Sequence, residues 1–258
     1  MSATYETIRV ETVREGVRRL VLARPAKHNA LNAAMIADLV HASEALRADE
    51  TVRVVVLSAE GRSFCAGGDL DWMRSQAERS RPERQAEAEA LAGMLDTLDR
   101  LPKLLIGEVR GPAYGGGVGL VALCDIAFAV PDARFALTEA RLGLIPATIS
   151  PFVVRRIGGP NARRIMLNAR PVDGAEACRM GLVSAVVAPE AMEKAVEAEI
   201  AFALQCAPGA VAESKALIRR LADGEPLGPG ATASLLADRW ESEEARAGIA
   251  AFFARIAR

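Results

Sequence analysis

The stretch "YGGGVGLVALCD" at 114–125 places Gly115, Gly116, Gly117 and Gly119 within five positions, at the start of an apolar run of helical character. Glycine in helix-forming territory costs about 1 kcal/mol relative to alanine, so four at one helix start imply a gain elsewhere. A phosphate-gripping loop of the Walker type ends in Gly-Lys-Ser/Thr, and none follows here. A dinucleotide fingerprint spaces its glycines G-x-G-x-x-G near the first strand; here both spacing and location differ. Close backbone packing is the plain alternative. A second turn weighs against it: "VVVLSAEGRSFCAGGDL" reads as a strand, a turn with Gly67 and Gly68, and a helix start at Asp69 to Met73. Two such turns could point bare backbone N–H groups into one pocket and stabilise negative charge developing on an oxygen. Glycine serves because a side chain there would block the substrate.

The elements that must position these turns alternate. "YETIRVETVREGVRRLVLARP" alternates apolar and polar residues around Glu15-Gly16 and reads as a hairpin. "NALNAAMIADLVHASEALRAD" has helical period with Asn32 as cap, and "VRVVVLSAE" is a β-branched run of the kind buried on both faces. "LLIGEVRG" and "DIAFAV" are further strands, and helical segments between strands argue for parallel pairing. Segment 72–100 is charged, exposed in its first half and helical in its second, with Pro82 marking a break that suits a mobile flap. From about residue 190 the pattern is helical: "PEAMEKAVEAEIAFALQCA", "PGAVAESKALIRRLAD" and "GATASLLADRWESEEARAGIAAFFARIAR", the last two separated by the breaker-rich "GEPLGPG".

Composition excludes several classes. The chain has 258 residues, 51% of them apolar, which suits one large α/β domain with a small appendage. Its 32 basic and 33 acidic residues nearly cancel, so no general pull toward nucleic acid exists. The 28 arginines outnumber four lysines but are scattered, which reads as codon bias. Cys65, Cys124, Cys178 and Cys206 form no C-x-x-C pair, and His28 and His41 are the only histidines; a zinc site, a disulfide framework and a histidine metal centre are all unsupported. "MSATYETIRVETV" lacks a signal-peptide layout and Asp125 interrupts the apolar run after Gly115, so a cytoplasmic protein without a membrane span is expected.

With these features in place, "SFCAGGDL" resembles the first oxyanion turn of the enoyl-CoA hydratase/isomerase (crotonase) superfamily, and "GPAYGGGVGLVALCDIAFA" the second. "ARPAKHNALN" is similar to its early CoA-contacting loop and "ARFALTEARLGLIP" to the segment with a catalytic glutamate. The four occur in family order over residues 8 to about 190. The resemblance implies an α/β fold: a crotonase-type spiral of ββα units over 1–195, then a helical C-terminal trimerisation domain over 196–258. It implies an acyl-CoA substrate, no metal, flavin or nicotinamide, and a homotrimer or homohexamer. The backbone N–H groups of Ala66 and Gly116 would hold the thioester oxygen, and Glu139 would serve as acid/base, its pKa raised by partial burial. Lys27, His28, Ala30, Ala66, Gly67, Gly68, Asp69 and Leu70 would line the substrate site, His28 without a catalytic role. Phe252 and Arg255 would reach a neighbour's CoA. The plain reading of Glu139 is complementing the dipole of a helix capped by Thr138.

Two departures bear on the reaction. Many hydratases of the family carry a second glutamate two residues beyond the triple glycine, where this chain has Gly119. Asp69, Asp71, Glu108 and Asp125 are the nearby acids in sequence; Asp69 reads as a helix cap or CoA contact and Asp125 as structural. Where many members run glycine-rich, this chain has "ATISPFVVRRIG", similar to bacterial methylglutaconyl-CoA or related hydratases whose substrates carry a distal carboxylate. Arg141 or Arg155 would then pair with it. The resulting expectation is hydration of a 2-enoyl-CoA. Its alternatives are isomerisation by the single glutamate, or acyl-CoA binding with little turnover.

Overall fold

The computed structural model describes residues 4–256. The hairpin forms as β1 (Ile8–Arg14) and β2 (Val17–Leu22), antiparallel around Gly16 at φ +75°. Asn32 caps α1 (Ala33–Ala48), its Oδ1 accepting from the Met35 N–H at 2.9 Å. The β-branched run becomes β3 (Val54–Ala59), in which Val54 to Leu57 are wholly buried, the burial that a parallel central strand demands.

Segment 70–99 differs from the expected half-exposed flap. It folds as two capped helices, α2 (Leu70–Glu78) and α3 (Arg81–Asp99). Pro82 does not break a helix; it sits in the first turn of α3, behind a capping box between Ser80 and Glu83. The Trp72 indole donates to Glu87 Oε2 at 2.9 Å and Arg79 pairs with Glu87, tying α2 to α3.

The next elements are β4 (Leu104–Val109), β5 (Ala113–Tyr114), α4 (Gly116–Leu123), β6 (Ile126–Ala129) and β7 (Arg134–Ala136). After a 3-10 turn, Glu139–Leu142, come α5 (Ser150–Met166, kinked at Gly158), β8 (Val172–Asp173), α6 (Gly174–Arg179) and β9 (Ala185–Val186). One sheet has the order β1-β2-β3-β4-β6-β9, parallel beyond the hairpin, and a small second sheet has the order β5-β7-β8. Each strand of the large sheet from β3 to β6 is followed by chain that crosses the small sheet's side before returning, which is the spiral arrangement expected.

The boundary at 195 falls inside α7 (Met192–Ala203), whose Met192, Val196 and Ile200 are buried in the main core, so this helix packs with the sheet. Then follow α8 (Pro208–Ala222), α9 (Pro229–Trp240) and α10 (Glu243–Ile256), none with a fully buried residue. The last helical stretch is broken at Glu241–Ser242, where the Ser242 Oγ accepts from the Ala245 N–H at 3.1 Å. Lys215 of α8 anchors this region to the core through Asp125 Oδ2 at 2.8 Å, which bears out the structural reading of Asp125. Among the described residues no single helix is long and apolar enough to cross a membrane.

Candidate active site

The two glycine turns meet. Tyr114 N–H donates to the Cys65 carbonyl at 2.8 Å, and a Cβ on Gly117 would stand 2.5 Å from that same oxygen. A Cβ on Gly67, itself at φ +87°, would lie 3.0 Å from the Tyr114 carbonyl. These contacts leave no room for side chains, so Gly67 and Gly117 are required for the turns to touch. Between the turns and α2 and α3 lies a cleft of about 540 Å³, lined by residues of both turns, by Glu139 and by the segment after it.

One expected donor is corrected. The Ala66 N–H donates to the His28 carbonyl at 3.0 Å and is therefore spent on the fold. Two residues on, Gly68 is flanked by Leu31 N–H to Gly67 carbonyl (2.7 Å) and Asp69 N–H to Leu31 carbonyl (2.8 Å). Its own N–H meets no backbone carbonyl among the described residues. Gly116 is the first residue of α4, and its N–H is likewise free of the helix ladder. Gly68 and Gly116 are thus the donors, one per turn, that remain available in the cleft.

Glu139 opens the 3-10 turn after β7, and Thr138 makes no side-chain cap there, contrary to expectation. Its Oε2 is shielded from solvent without a hydrogen-bond partner, and its Oε1 lies 3.0 Å from where a Cβ on Gly115 would be. Burial raises its pKa, only partly opposed by its own N–H. A carboxyl whose native pKa lies above its unfolded one is favoured while protonated and becomes a liability on ionising. The Glu139→Gln protein is therefore expected to melt above the parent at pH 8. The gap should close as pH falls through the raised pKa and vanish below the ordinary carboxylate range. Melting curves from pH 4 to 8 check this; a pH-independent gap would contradict a pKa raised by partial burial.

The other expected site residues divide. Ala66, Gly67, Gly68, Leu70, Gly116 and Glu139 share the cleft; Lys27, His28 and Ala30 do not line it. Lys27 pairs at the surface with Asp71 Oδ2 at 3.1 Å, and His28 Nδ1 lies 3.0 Å from Ser63 Oγ. Ala30 is buried and His28 takes a left-handed φ of 52°, and the loop meets the first turn through its backbone, the His28 carbonyl accepting from the Ala66 N–H. Asp69 caps α2 and pairs with Arg24 at 2.9 Å. Burial would push its pKa up, but Arg24 and the Asp71 and Trp72 N–H groups together outweigh that and hold it low.

Neither arginine offered for a distal carboxylate reaches the cleft. Arg141 donates to the Ala169 carbonyl at 2.8 Å, and Arg155 pairs with Asp99 and Asp223. Of the acids weighed as a second catalytic group, none lines the cleft: Asp69 caps, Asp71 is on the surface, Glu108 sits between Arg19 and Arg110, and Asp125 holds Lys215. Gly119 is not vacant space either. A Cβ there would stand 2.7 Å from Ile149 Cγ2 and 3.7 Å from Leu95 Cδ2.

Apart from Leu70, the cleft residues of α2 and α3 were missed. Arg84, Glu87, Ala88 and Leu91 all face it. Their spacing of three, four and seven marks one helix face and was legible in the charged segment. The indole of Trp72, ahead of Arg79, keeps Glu87 ionised by holding its pKa down.

A spiral α/β fold brings two glycine turns and a half-buried carboxyl together on one cleft. The comparisons with known proteins agree. The family model described as Enoyl-CoA hydratase/isomerase matches residues 12–256, and the chain belongs to that family. An enoyl-CoA hydratase of Alternaria alternata is 37% identical over 206 residues, covering 80% of this chain and 67% of that one. The crystal structure of an enoyl-CoA hydratase from Shewanella pealeana superposes with a TM-score of 0.92 at 36% identity, covering 97% of this chain and 94% of the other. That of an enoyl-CoA hydratase from Mycobacterium smegmatis gives 0.90 at 35% identity, with 97% of each chain covered.

Proposed function

We propose that the protein hydrates a 2-enoyl-CoA thioester, with acyl groups of the methylglutaconyl type as its substrates and no cofactor beyond the CoA that arrives on the substrate. The observation that carries this is the placement of Glu139, pKa-raised and with its shielded Oε2 unpartnered, against the turn that supplies the Gly116 N–H. The thioester oxygen would accept from the Gly68 and Gly116 N–H groups. As water adds to the β-carbon, Glu139 takes its proton, the electron pair of the double bond moves onto the thioester as an enolate, and Glu139 returns the proton to the α-carbon. Each N–H of this kind contributes about 10²- to 10³-fold to rate.

One observation favours a second reading. Ile149 and Leu95 cover Gly119, the position where a second acid would hold water. With Glu139 alone, proton transfer between the α- and γ-carbons of a 3-enoyl-CoA is the simpler reaction. The exposed Leu236, Trp240, Phe252 and Phe253 of the terminal helices support assembly as a trimer or hexamer.

The test is a panel of crotonyl-CoA, 3-methylglutaconyl-CoA and a 3-enoyl-CoA, read by product mass. A gain of one water is expected. Conversion of the 3-enoyl-CoA at constant mass would replace hydration by isomerisation, and tight binding without any product would leave only an acyl-CoA-binding protein.

A further inference from the structure

The wall of the cleft formed by α2 and α3 has a chemistry that the proposed reaction does not use. Gln76 of α2 lines the cleft, and its Nε2 is shielded from solvent with no hydrogen-bond acceptor. A shielded amide N–H without a partner is destabilising, and native structures rarely leave one without a reason. Arg84, in the first turns of α3, lines the same wall. Nearby Arg79 is taken up by Glu87, whereas the Arg84 guanidinium meets no carboxylate within ion-pair distance among the described residues. The charged side chains on the cleft are Arg84, Glu87 and Glu139. Glu87 is already engaged on both oxygens, by Trp72 and by Arg79, and its charge is answered by Arg79, which does not line the cleft. The remaining charge on this wall is positive.

We infer that Gln76 and Arg84 are specificity-determining residues that accept an acyl group with a carboxylate at its end away from the thioester. This rests on the acyl-CoA reading above. An alkyl end would leave the Gln76 N–H groups unmatched and strip water from Arg84 without return. A hydroxyl or carbonyl would satisfy Gln76 alone. A carboxylate has lone pairs enough to accept from the amide N–H and from the guanidinium N–H groups, using both side chains at once. The apolar residues that line the same cleft, Met73, Leu91 and Ile149 among them, suit the short carbon chain that joins thioester and carboxylate.

Glutaryl-CoA and butyryl-CoA test this directly, because neither has a double bond to hydrate or move and the ratio of their dissociation constants needs no turnover. The parent protein is expected to bind glutaryl-CoA about tenfold more tightly than butyryl-CoA, a modest figure because Arg84 is exposed to solvent. In Arg84→Ala the ratio should fall to within about twofold of unity, and Arg84→Lys should keep part of it, since charge survives and the fork does not. Gln76→Glu should invert the preference by setting a second carboxylate against the first. Butyryl-CoA binding in each variant reports that the site is folded. A parent without preference, or variants that keep it, would overturn the inference. Preference without turnover of any enoyl-CoA would instead sink the enzymatic reading and leave this site standing.

Discussion

The Glu139→Gln protein is expected to lose turnover by about 10²- to 10⁴-fold, the range for removing a positioned acid/base, while keeping its affinity for acyl-CoA. The two halves of this outcome have separate origins. In the proposed reaction turnover depends on a carboxyl that alternates between protonated and ionised forms, and glutamine cannot do either. In that reaction affinity rests on the backbone N–H groups of Gly68 and Gly116 and on the α2–α3 wall of the cleft, all of which the substitution leaves unchanged. Glutamine is nearly isosteric and neutral, so the turn at Glu139–Leu142 should persist. The same variant should be more stable at neutral pH, because the parent carries there a carboxylate that burial disfavours and whose Oε2 has no partner. Loss of activity together with gain of stability separates a functional residue from a structural one. Steady-state rates beside equilibrium binding of a saturated acyl-CoA give the comparison. Retained turnover would remove Glu139 from the mechanism, and a parallel loss of binding would make its role structural.

Much of this site was legible because its parts are local in sequence. Gly115 to Gly117 and Gly67 to Gly68 announce two turns, which meet where Gly67 and Gly117 leave no room for a side chain, and β3 announces its burial through a β-branched run. Asn32 and Asp69 were readable as caps, since capping is decided within three residues. The choice between Ala66 and Gly68 was not readable. It turns on which N–H meets the carbonyl of His28, thirty-eight residues before Ala66, and no local pattern reports that pairing. Arg141 and Arg155 failed as candidates for the same reason: their partners Ala169, Asp99 and Asp223 come from other parts of the chain. Gln76 and Arg84 were hidden in a stretch whose charge reads as solvated surface, although helical spacing put Arg84 on the cleft face of α3.

Gly119→Glu is expected to destabilise the protein without creating a hydratase with two acids. The position is occupied from outside: Ile149 Cγ2 would lie 2.7 Å and Ile149 Cβ 3.1 Å from the new Cβ, before the rest of the side chain is placed. Overpacking of this kind costs about 1–3 kcal/mol, or a fall in Tm of roughly 2–12 °C for a chain of this size, and a buried charge without a partner adds to it. Gly119 lies inside α4, where glutamate is the better helix former, but that gain is below 1 kcal/mol by the same scale and cannot reverse the sign. Ile149 is the residue immediately before α5, so its side chain is held by the start of that helix and has little freedom to retreat. Removing it is the informative second step. In Gly119→Glu with Ile149→Ala, the space once filled by the isoleucine can admit the carboxylate. Part of the lost Tm should return, and product mass should shift toward hydration relative to isomerisation. A Gly119→Glu protein as stable as its parent would show that Ile149 yields, and the absence of a second acid would then be a matter of residue choice alone. A destabilised single variant rescued by the double would make Ile149 and Gly119 one paired feature: the isoleucine that seals the position and the glycine that admits the isoleucine.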